Sequence, residues 1–367
     1  MIDIVLVKSN TIIYDPRVIK IVRSLTKRYS VLGLGWNREN LERDKLKHYV
    51  IPIRCLNRSA PFGKPTIILH YPLFWLWIFA QLSILKPTVV HACDLDTVIP
   101  CYFYKIIFGK KLVFDVFDRY GLGGYVPAKH RRLCQFVNVF EEFFIIHADL
   151  GILVAETYLK TLSREPTNVI IIMNCQESNI VDINKPDDNI LTLIYTGNIA
   201  ERLGVGRIVE AVKDLAKVEL VLAGYAWDKI FLNKLLQSPN VKYAGFLETM
   251  QVLSLEARSD VMIFVYPSIT NYRLTIPNKT LEAMTFGMPL ITNVAPELVR
   301  DIDCGIIVDY NNLDDIRSAI ITLRDNPDLC KKFGENGRKA ALEKYNWHEM
   351  EKRLLQSYGY FFQTNIQ

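Results

Sequence analysis

The residues best suited to chemistry lie late in the chain, in the segment Tyr266-Pro267-Ser268 through Pro277-Asn278-Lys279-Thr280-Leu281-Glu282-Ala283-Met284-Thr285-Phe286-Gly287-Met288-Pro289. A strand pattern precedes it, a polar loop follows, and a helix is expected to start at Pro277, because a first-turn residue loses nothing by lacking an N–H. The free amides of such a helix start, together with the positive end of its dipole, favour a phosphate. Lys279 strengthens this expectation: a cation in the first turn opposes the dipole and needs a compensating anion, and Arg273 stands just upstream. The plainer alternative is an exposed lysine that tolerates its position. Glu282 is read as a first-turn acid, which the dipole alone would favour, or as an acceptor of hydrogen bonds from sugar hydroxyls.

These residues need a scaffold, and the apolar pattern supplies one. Short apolar runs alternate with amphipathic stretches, the signature of βαβ units around a parallel sheet. The candidate strands in the first half are 2–7, 31–34, 50–53, 88–91, 111–114, 150–154 and 169–173, and in the second half 191–195, 219–223, 241–243, 261–265, 290–292 and 306–308. Between the sets lies Gln176–Asn189, polar and acidic with Pro186 and no apolar period. The expected organisation is a Rossmann-like domain at 1–178, a linker at 179–190 and a second Rossmann-like domain at 191–345. Such domains bind along the carboxyl ends of their strands, which places the working cleft between the two.

The chain has 367 residues, more than one core usually holds, and half of them are hydrophobic, which excludes a disordered chain. Its formal charge of +5 is spread out, so nucleic acid is not an expected partner, whereas anionic small molecules and membrane surfaces are. Seven scattered cysteines without a CxxC pair suggest neither a disulfide framework nor a zinc site, and point to a reducing cytoplasm. The residues from Met1 to Val7 run directly into a strand pattern and do not read as a secretory signal. Residues 65–85 are uncharged, but Pro65, His70, Pro72, Gln81 and Ser83 interrupt them, and Leu73 to Leu85 span about 20 Å, short of a ~30 Å bilayer core. A buried crossover helix is the first expectation there. Contact with a membrane surface, aided by Lys129-His130-Arg131-Arg132 before the aromatic run 136–144, is the second.

The order and spacing of several pieces resemble the family 4 glycosyltransferases of GT-B fold, retaining enzymes that move a sugar from a nucleotide diphosphate. Those pieces are Asp15-Pro16-Arg17-Val18, His91-Ala92-Cys93-Asp94-Leu95-Asp96-Thr97, Val113 to Asp118, Tyr195-Thr196-Gly197-Asn198 with Gly204, Ala223-Gly224, Gly245-Phe246 and the segment ending at Pro289. The resemblance implies an α/β chain of two Rossmann-like domains facing each other across a cleft, with the sugar nucleotide on the second. It implies that Glu282 holds the ribose hydroxyls, that Lys279 with the nearby N–H groups faces the diphosphate beside Pro277 and Asn278, that Phe246 flanks the base, and that Gly197, Asn198 and Gly224 line the donor. It also implies that the stretch 346–363 returns to the first domain. The chain departs from the family where a first glutamate is replaced by Leu274, a histidine by Phe117, and two basic positions by Asn198 and Leu203; Arg202 is the candidate replacement for the latter.

The expected function is therefore a metal-independent transferase needing no cofactor beyond its sugar-nucleotide co-substrate, with a glycan or lipid-linked acceptor, in the cytoplasm or at the cytoplasmic face of a membrane. Lys279 and Arg202 would draw off the diphosphate, a role in which fixed positive charge lowers the barrier. Arg17, Asp94, Asp96 and Tyr120 would meet the acceptor, and Asp118 and His91 would orient or polarise it; the plainer readings are a helix cap for Asp118 and a satisfied core residue for His91. Asp94-Leu95-Asp96 could also hold a divalent cation and diphosphate, as D-x-D does in single-domain transferases, but three residues are a weak signal. Gly33-Leu34-Gly35 lacks the third glycine of a dinucleotide site. A nucleotide-sugar epimerase and a non-catalytic partner subunit are the alternative classes.

Overall fold

The computed structural model describes residues 2–12, 15–38, 50–60, 65–122, 130–177, 189–267 and 275–363. Arg273, Leu274, Ser268, Lys129 and most of the linker fall outside the described residues. The chain divides into two compact units, one comprising Met1–Met173 with Met350–Gln367, the other Asn174–Glu349.

The first unit is built on β1 (Ile4–Val7), β2 (Val31–Asn37), β3 (Ile53–Asn57), β4 (Val89–Cys93), β5 (Lys111–Val116), β6 (Leu150–Leu153) and β7 (Val169–Ile171), in the spatial order β3-β2-β1-β4-β5-β6-β7. Every pairing is parallel, with Leu6 opposite both Gly33 and His91. Strands covered on both faces must be apolar throughout, which is why β1, β2 and β4 carry no exposed position. The third strand begins at Ile53 and not at Val50, as the apolar run suggests, because Pro52 has no N–H to add to a ladder and contributes only its carbonyl, which accepts from Gly33 N at 3.0 Å.

The helices of this unit are α1 (Pro16–Leu25), α2 (Tyr71–Leu85), α3 (Leu95–Phe108) and α4 (Arg131–His147). Asp15 caps α1, its carboxylate accepting from the amides of Arg17 and Val18, and Pro16 pre-sets the first turn. The uncharged α2 is not the buried crossover that its composition suggests. Phe74, Ile78 and Leu82, spaced four apart, form its only buried stripe, and Leu73, Leu76 and Ile84 are exposed. No helix among the described residues is long and apolar enough to cross a membrane.

The second unit has β8 (Leu191–Thr196), β9 (Val218–Ala223), β10 (Val241–Gly245), β11 (Val261–Phe264), β12 (Leu290–Thr292) and β13 (Gly305–Ile307), all parallel, in the order β10-β9-β8-β11-β12-β13. Its helices are α5 (Val205–Val212), α6 (Lys229–Leu235), α7 (Thr249–Ala257), α8 (Asn278–Phe286), α9 (Pro296–Ile302), α10 (Leu313–Asp325) and α11 (Pro327–Glu343). The last helix, α12 (Trp347–Gln363), passes into the first unit at Met350, where Met350 Sδ accepts from Met173 N at 3.3 Å, Lys27 pairs with Glu351 at 2.7 Å and Tyr29 stacks on Phe362. Both units are Rossmann-like: strand order reverses beside the first strand of each, and the opening that this leaves at the carboxyl ends is where such sheets bind ligands.

Candidate functional site

In the second unit the loops after β8, β9 and β11 converge at that opening. Gly197 N donates to Ala223 O and Gly224 N to Gly245 O, both at 2.8 Å, so the turns after β8 and β9 and the end of β10 are stitched backbone to backbone. The stitching requires glycine. Gly224 has φ +137°, and a Cβ there would lie 1.9 Å from Gly197 O; Gly197 has φ +120°. Tyrosine hydroxyls hold the turns from behind, Tyr195 donating to Asn198 O at 3.0 Å and Tyr243 to Gly224 O at 2.9 Å. Asn293 clamps the turn after β11, with its amide bonded to both the N–H and the carbonyl of Tyr266.

Lys279 reaches into this convergence from α8. Its Nζ sits 3.0 Å from where a Gly197 Cβ would be, 3.4 Å from the Tyr266 hydroxyl, and 5.5 Å and 6.0 Å from the ring centres of Tyr195 and Phe264. Among the described residues no carboxylate comes within 4.0 Å of it. The helix start differs by one residue from the sequence expectation: Pro277 is the cap, with extended ψ of 145°, and Asn278 is the first helical residue. Thr280 N folds back to Pro277 O at 2.9 Å, and the amides of Asn278 and Lys279 belong to the free set of a helix end. Glu282, expected as a first-turn acid, is the fifth helical residue and so stands in the second turn. There its carboxylate accepts from Gln176 Nε2 at 3.0 Å.

A second carboxyl, Glu256 of α7, lies behind the same loops without any exposure. Thr196 Oγ1 donates to its Oε1 at 2.8 Å, and its Oε2 has no hydrogen-bond partner among the described residues. Burial first, and then repulsion from Glu282, push this carboxyl up to about 9 against the pull of Thr196 and Lys279. Glu256 is therefore protonated at neutral pH. Nothing in the sequence around it, an ordinary amphipathic stretch, marks it out.

Arg202 is exposed on the short turn Glu201–Leu203, which Gly204 anchors against the end of β11: a Cβ on Gly204 would stand 2.1 Å from Val265 O. Phe246, 72% exposed beyond β10, meets Tyr225 edge-on at 6.1 Å, and Tyr225 lies 4.2 Å from Trp227. Asn198 is exposed at the mouth of the β8 turn.

The other sequence candidates gather at the corresponding opening of the first unit, and there burial changes their roles. Arg17 donates to both oxygens of the fully buried Asp115, at 2.7 and 3.2 Å, and to Ile172 O at 2.6 Å; it is a structural ion pair and not an open acceptor contact. His91, also fully buried, shares a 2.5 Å hydrogen bond with Tyr358 through Nδ1, and its Nε2 lies 3.4 Å from Asp115. Full burial makes it a core histidine, out of reach of a dissolved acceptor, although its Nε2 makes no hydrogen bond among the described residues. Burial opposes the charge on Asp115, but Arg17 and His91 outweigh it and hold the carboxyl below its usual range.

Asp94 closes the same cluster in a left-handed backbone conformation, φ +69°, pairing with Lys8 at 2.7 Å and accepting from Phe117 N at 2.9 Å. Burial raises Asp94 to about 6, with Lys8 pulling it down and Asp96 pushing it up, so the pair is ionic at neutral pH. The ring of Phe117, at the position where the family resemblance expects a histidine, lies 3.6 Å beneath the Lys8 ammonium. Sequence reading passed over Lys8, because a lone lysine after a strand carries no motif. Asp96 is buried and accepts from Tyr71 at 2.9 Å; its other oxygen has no hydrogen-bond partner among the described residues. Asp118 and Tyr120 are half-exposed in the loop after β5, without the helix that a capping role would need, and Tyr120 N donates to Glu141 at 3.2 Å.

Residues 176–340 match the family model described as glycosyl transferases group 1. A relative is the alpha-maltose-1-phosphate synthase of Mycolicibacterium smegmatis, 27% identical over 196 residues, 48% of this chain and 49% of that one; the chain thus spans about half the length of the relative it matches. Among solved structures, the sucrose-phosphate synthase of Thermosynechococcus elongatus superposes with a TM-score of 0.80 at 15% identity, over 99% of this chain and 100% of that one. The HepE protein of Anabaena, solved in complex with UDP-glucose, gives a TM-score of 0.73 at 14% identity, over 98% and 100%. The fold is that of GT-B glycosyltransferases, and the group 1 match falls on the unit whose glycine turns surround Lys279.

Proposed function

We propose that this chain is a retaining glycosyltransferase that moves a sugar from UDP or GDP to a glycan or lipid-linked acceptor with an α-glycosidic bond, without a metal ion, in the cytoplasm. The observation that carries the reading is the Lys279 ammonium, set against Gly197 at the start of α8 with no carboxylate within 4.0 Å among the described residues. Such a cation, beside free helix amides, suits a diphosphate. The relative named as an alpha-maltose-1-phosphate synthase supports the α-linked product, and the neighbour solved with UDP-glucose supports a uridine donor.

In the proposed reaction the bond from the sugar's anomeric carbon to the diphosphate oxygen breaks as the acceptor oxygen bonds that carbon from the same face. The acceptor proton passes to the departing diphosphate, whose growing charge is met by Lys279, the α8 amides and the exposed Arg202. Glu282 would accept from ribose hydroxyls, Phe246 would flank the base, and Asp118 and Tyr120, the half-exposed pair of the first unit, would meet the acceptor.

The experiment is release of nucleotide diphosphate from a panel of UDP- and GDP-sugars, with and without a lipid extract, in the presence and absence of EDTA. One charge-assisted contact contributes about 1.5–3 kcal/mol, so Lys279→Met is expected to weaken nucleotide diphosphate binding about 10- to 100-fold, with Lys279→Arg between. Unchanged affinity and turnover in a folded Lys279→Met protein would refute the reading. An altered free sugar nucleotide, or no turnover with any donor, would replace it with an epimerase or a non-catalytic subunit.

A further inference from the structure

The three helices α2, α3 and α4 form the crossovers from β3 to β4, β4 to β5 and β5 to β6. Right-handed crossovers running the same way along a parallel sheet lie on one face of it, so these helices are neighbours and share one outer surface. Trp75 Nε1 of α2 donates to Asp96 O of α3 at 2.7 Å, and Tyr102 of α3 meets Phe143 of α4 edge-on at 5.5 Å. Their outward positions are apolar where a solvated helix would be polar: Leu76 and Ile84 on α2, Phe103 and Ile107 on α3, and Phe136 and Val139 on α4 are each more than half exposed. Such an apolar face on a chain with an ample core marks an interaction surface.

Charge on these helices is one-sided. Their acids Asp96, Glu141 and Glu142 are all buried, whereas Arg131 and Arg132 are exposed at the start of α4 and Lys86 is exposed just past α2. Asp149, just beyond α4, is taken up by Lys105 at 2.9 Å and Lys111 at 3.1 Å. A second copy docking through this face would bring like charges together, which costs affinity. A surface that is at once apolar and anionic complements it, and that describes a bilayer containing acidic lipids.

We infer that the outer face of α2, α3 and α4 docks on an anionic lipid surface, with Leu76, Ile107 and Phe136 entering the headgroup boundary and Arg131 and Arg132 meeting lipid phosphates. Helices run opposite to the strands they connect, so the starts of α2 and α4 lie toward the carboxyl ends of the strands, the edge that carries Asp94 and Asp118. A docked face would therefore hold that edge near the membrane.

The test is flotation of the full chain with vesicles of phosphatidylcholine alone and with roughly a third phosphatidylglycerol, at low and high salt. Binding is expected on the acidic vesicles, weakened by salt. A Leu76→Glu, Ile107→Glu, Phe136→Glu protein is expected to lose it by about tenfold or more, with circular dichroism reporting the fold. Arg131→Gln with Arg132→Gln, both at exposed positions that leave the core untouched, is expected to weaken binding about fivefold per residue on acidic vesicles only. Ile230→Glu, on an exposed site of the second unit, is expected to float as wild type. The inference is overturned if wild type does not float on acidic vesicles, if both the Glu and Gln variants float unchanged, or if wild type sediments as a dimer that the Glu variant dissolves. Flotation is read without any sugar nucleotide, so its failure leaves the transferase reading standing.

Discussion

Replacing Glu256 by glutamine should make the protein's stability less dependent on pH. In the unfolded chain this carboxyl loses its proton near the ordinary glutamate value of about 4.3, whereas in the fold burial and Glu282 hold the proton up to about 9. Between those values the native chain binds one more proton than the unfolded chain, so the unfolding free energy falls as pH rises, by about 1.4 kcal/mol per unit. From pH 5 to pH 8 this single group would cost about 4 kcal/mol as an upper bound, and relaxation around the ionised form should reduce that to about 1–3 kcal/mol. Glutamine keeps the oxygen that accepts from Thr196 at 2.8 Å and cannot ionise. Relative to wild type, Glu256→Gln should therefore gain about 1–3 kcal/mol as pH rises over that interval, read from urea unfolding followed by circular dichroism at each pH. Subtracting the two proteins cancels the titration of all other groups. A difference flat within about 0.5 kcal/mol would mean that Glu256 is already ionised in the fold, and would refute a neutral acid behind the Gly197 turn.

Arg17→Met should cost about 3–5 kcal/mol, because it leaves the fully buried Asp115 carboxylate facing no guanidinium. Asp115 titrates low in the fold, so its contribution is present above the ordinary aspartate range and lost on acidification; the thermal midpoint of Arg17→Met should depend less on pH in the acid range, and an unchanged midpoint at neutral pH would contradict the pairing. Gly224→Ala should cost about 3 kcal/mol or more, since its Cβ would fall 1.9 Å from Gly197 O at φ +137°. The same change should weaken nucleotide diphosphate binding by displacing the turn against which Lys279 lies, measurable by calorimetry. A variant with wild-type melting and affinity would show that the two turns do not press on each other.

Much of the fold could be read from local pattern. Continuous apolar runs such as Ile4–Val7 and Val261–Phe264 are what strands covered on both faces require, and the alternation with amphipathic stretches specifies a parallel sheet with crossover helices. The exception at β3 is itself local, since the missing N–H of Pro52 delays the ladder. The helix start at α8 was also legible, because Pro277, Lys279 and the strand before them are neighbours in the chain; only the cap position differed, by a residue.

What depended on the tertiary structure was burial and partnership, which arise between segments far apart in sequence. His91 at a strand end and Arg17 at a helix start fit a site or a core equally well in sequence, and become core groups because Tyr358 and Asp115 arrive from other elements. Lys8 and Glu256 have no motif, and owe their electrostatics to being dried out beside Asp94 and Glu282. The uncharged α2 reads as a core helix until the sheet beneath it proves wide enough to bury only one stripe. Apolar spacing along a chain says which residues can face a core. How much core there is to face, and which charges it encloses, is settled by the packing of elements that the sequence keeps far apart.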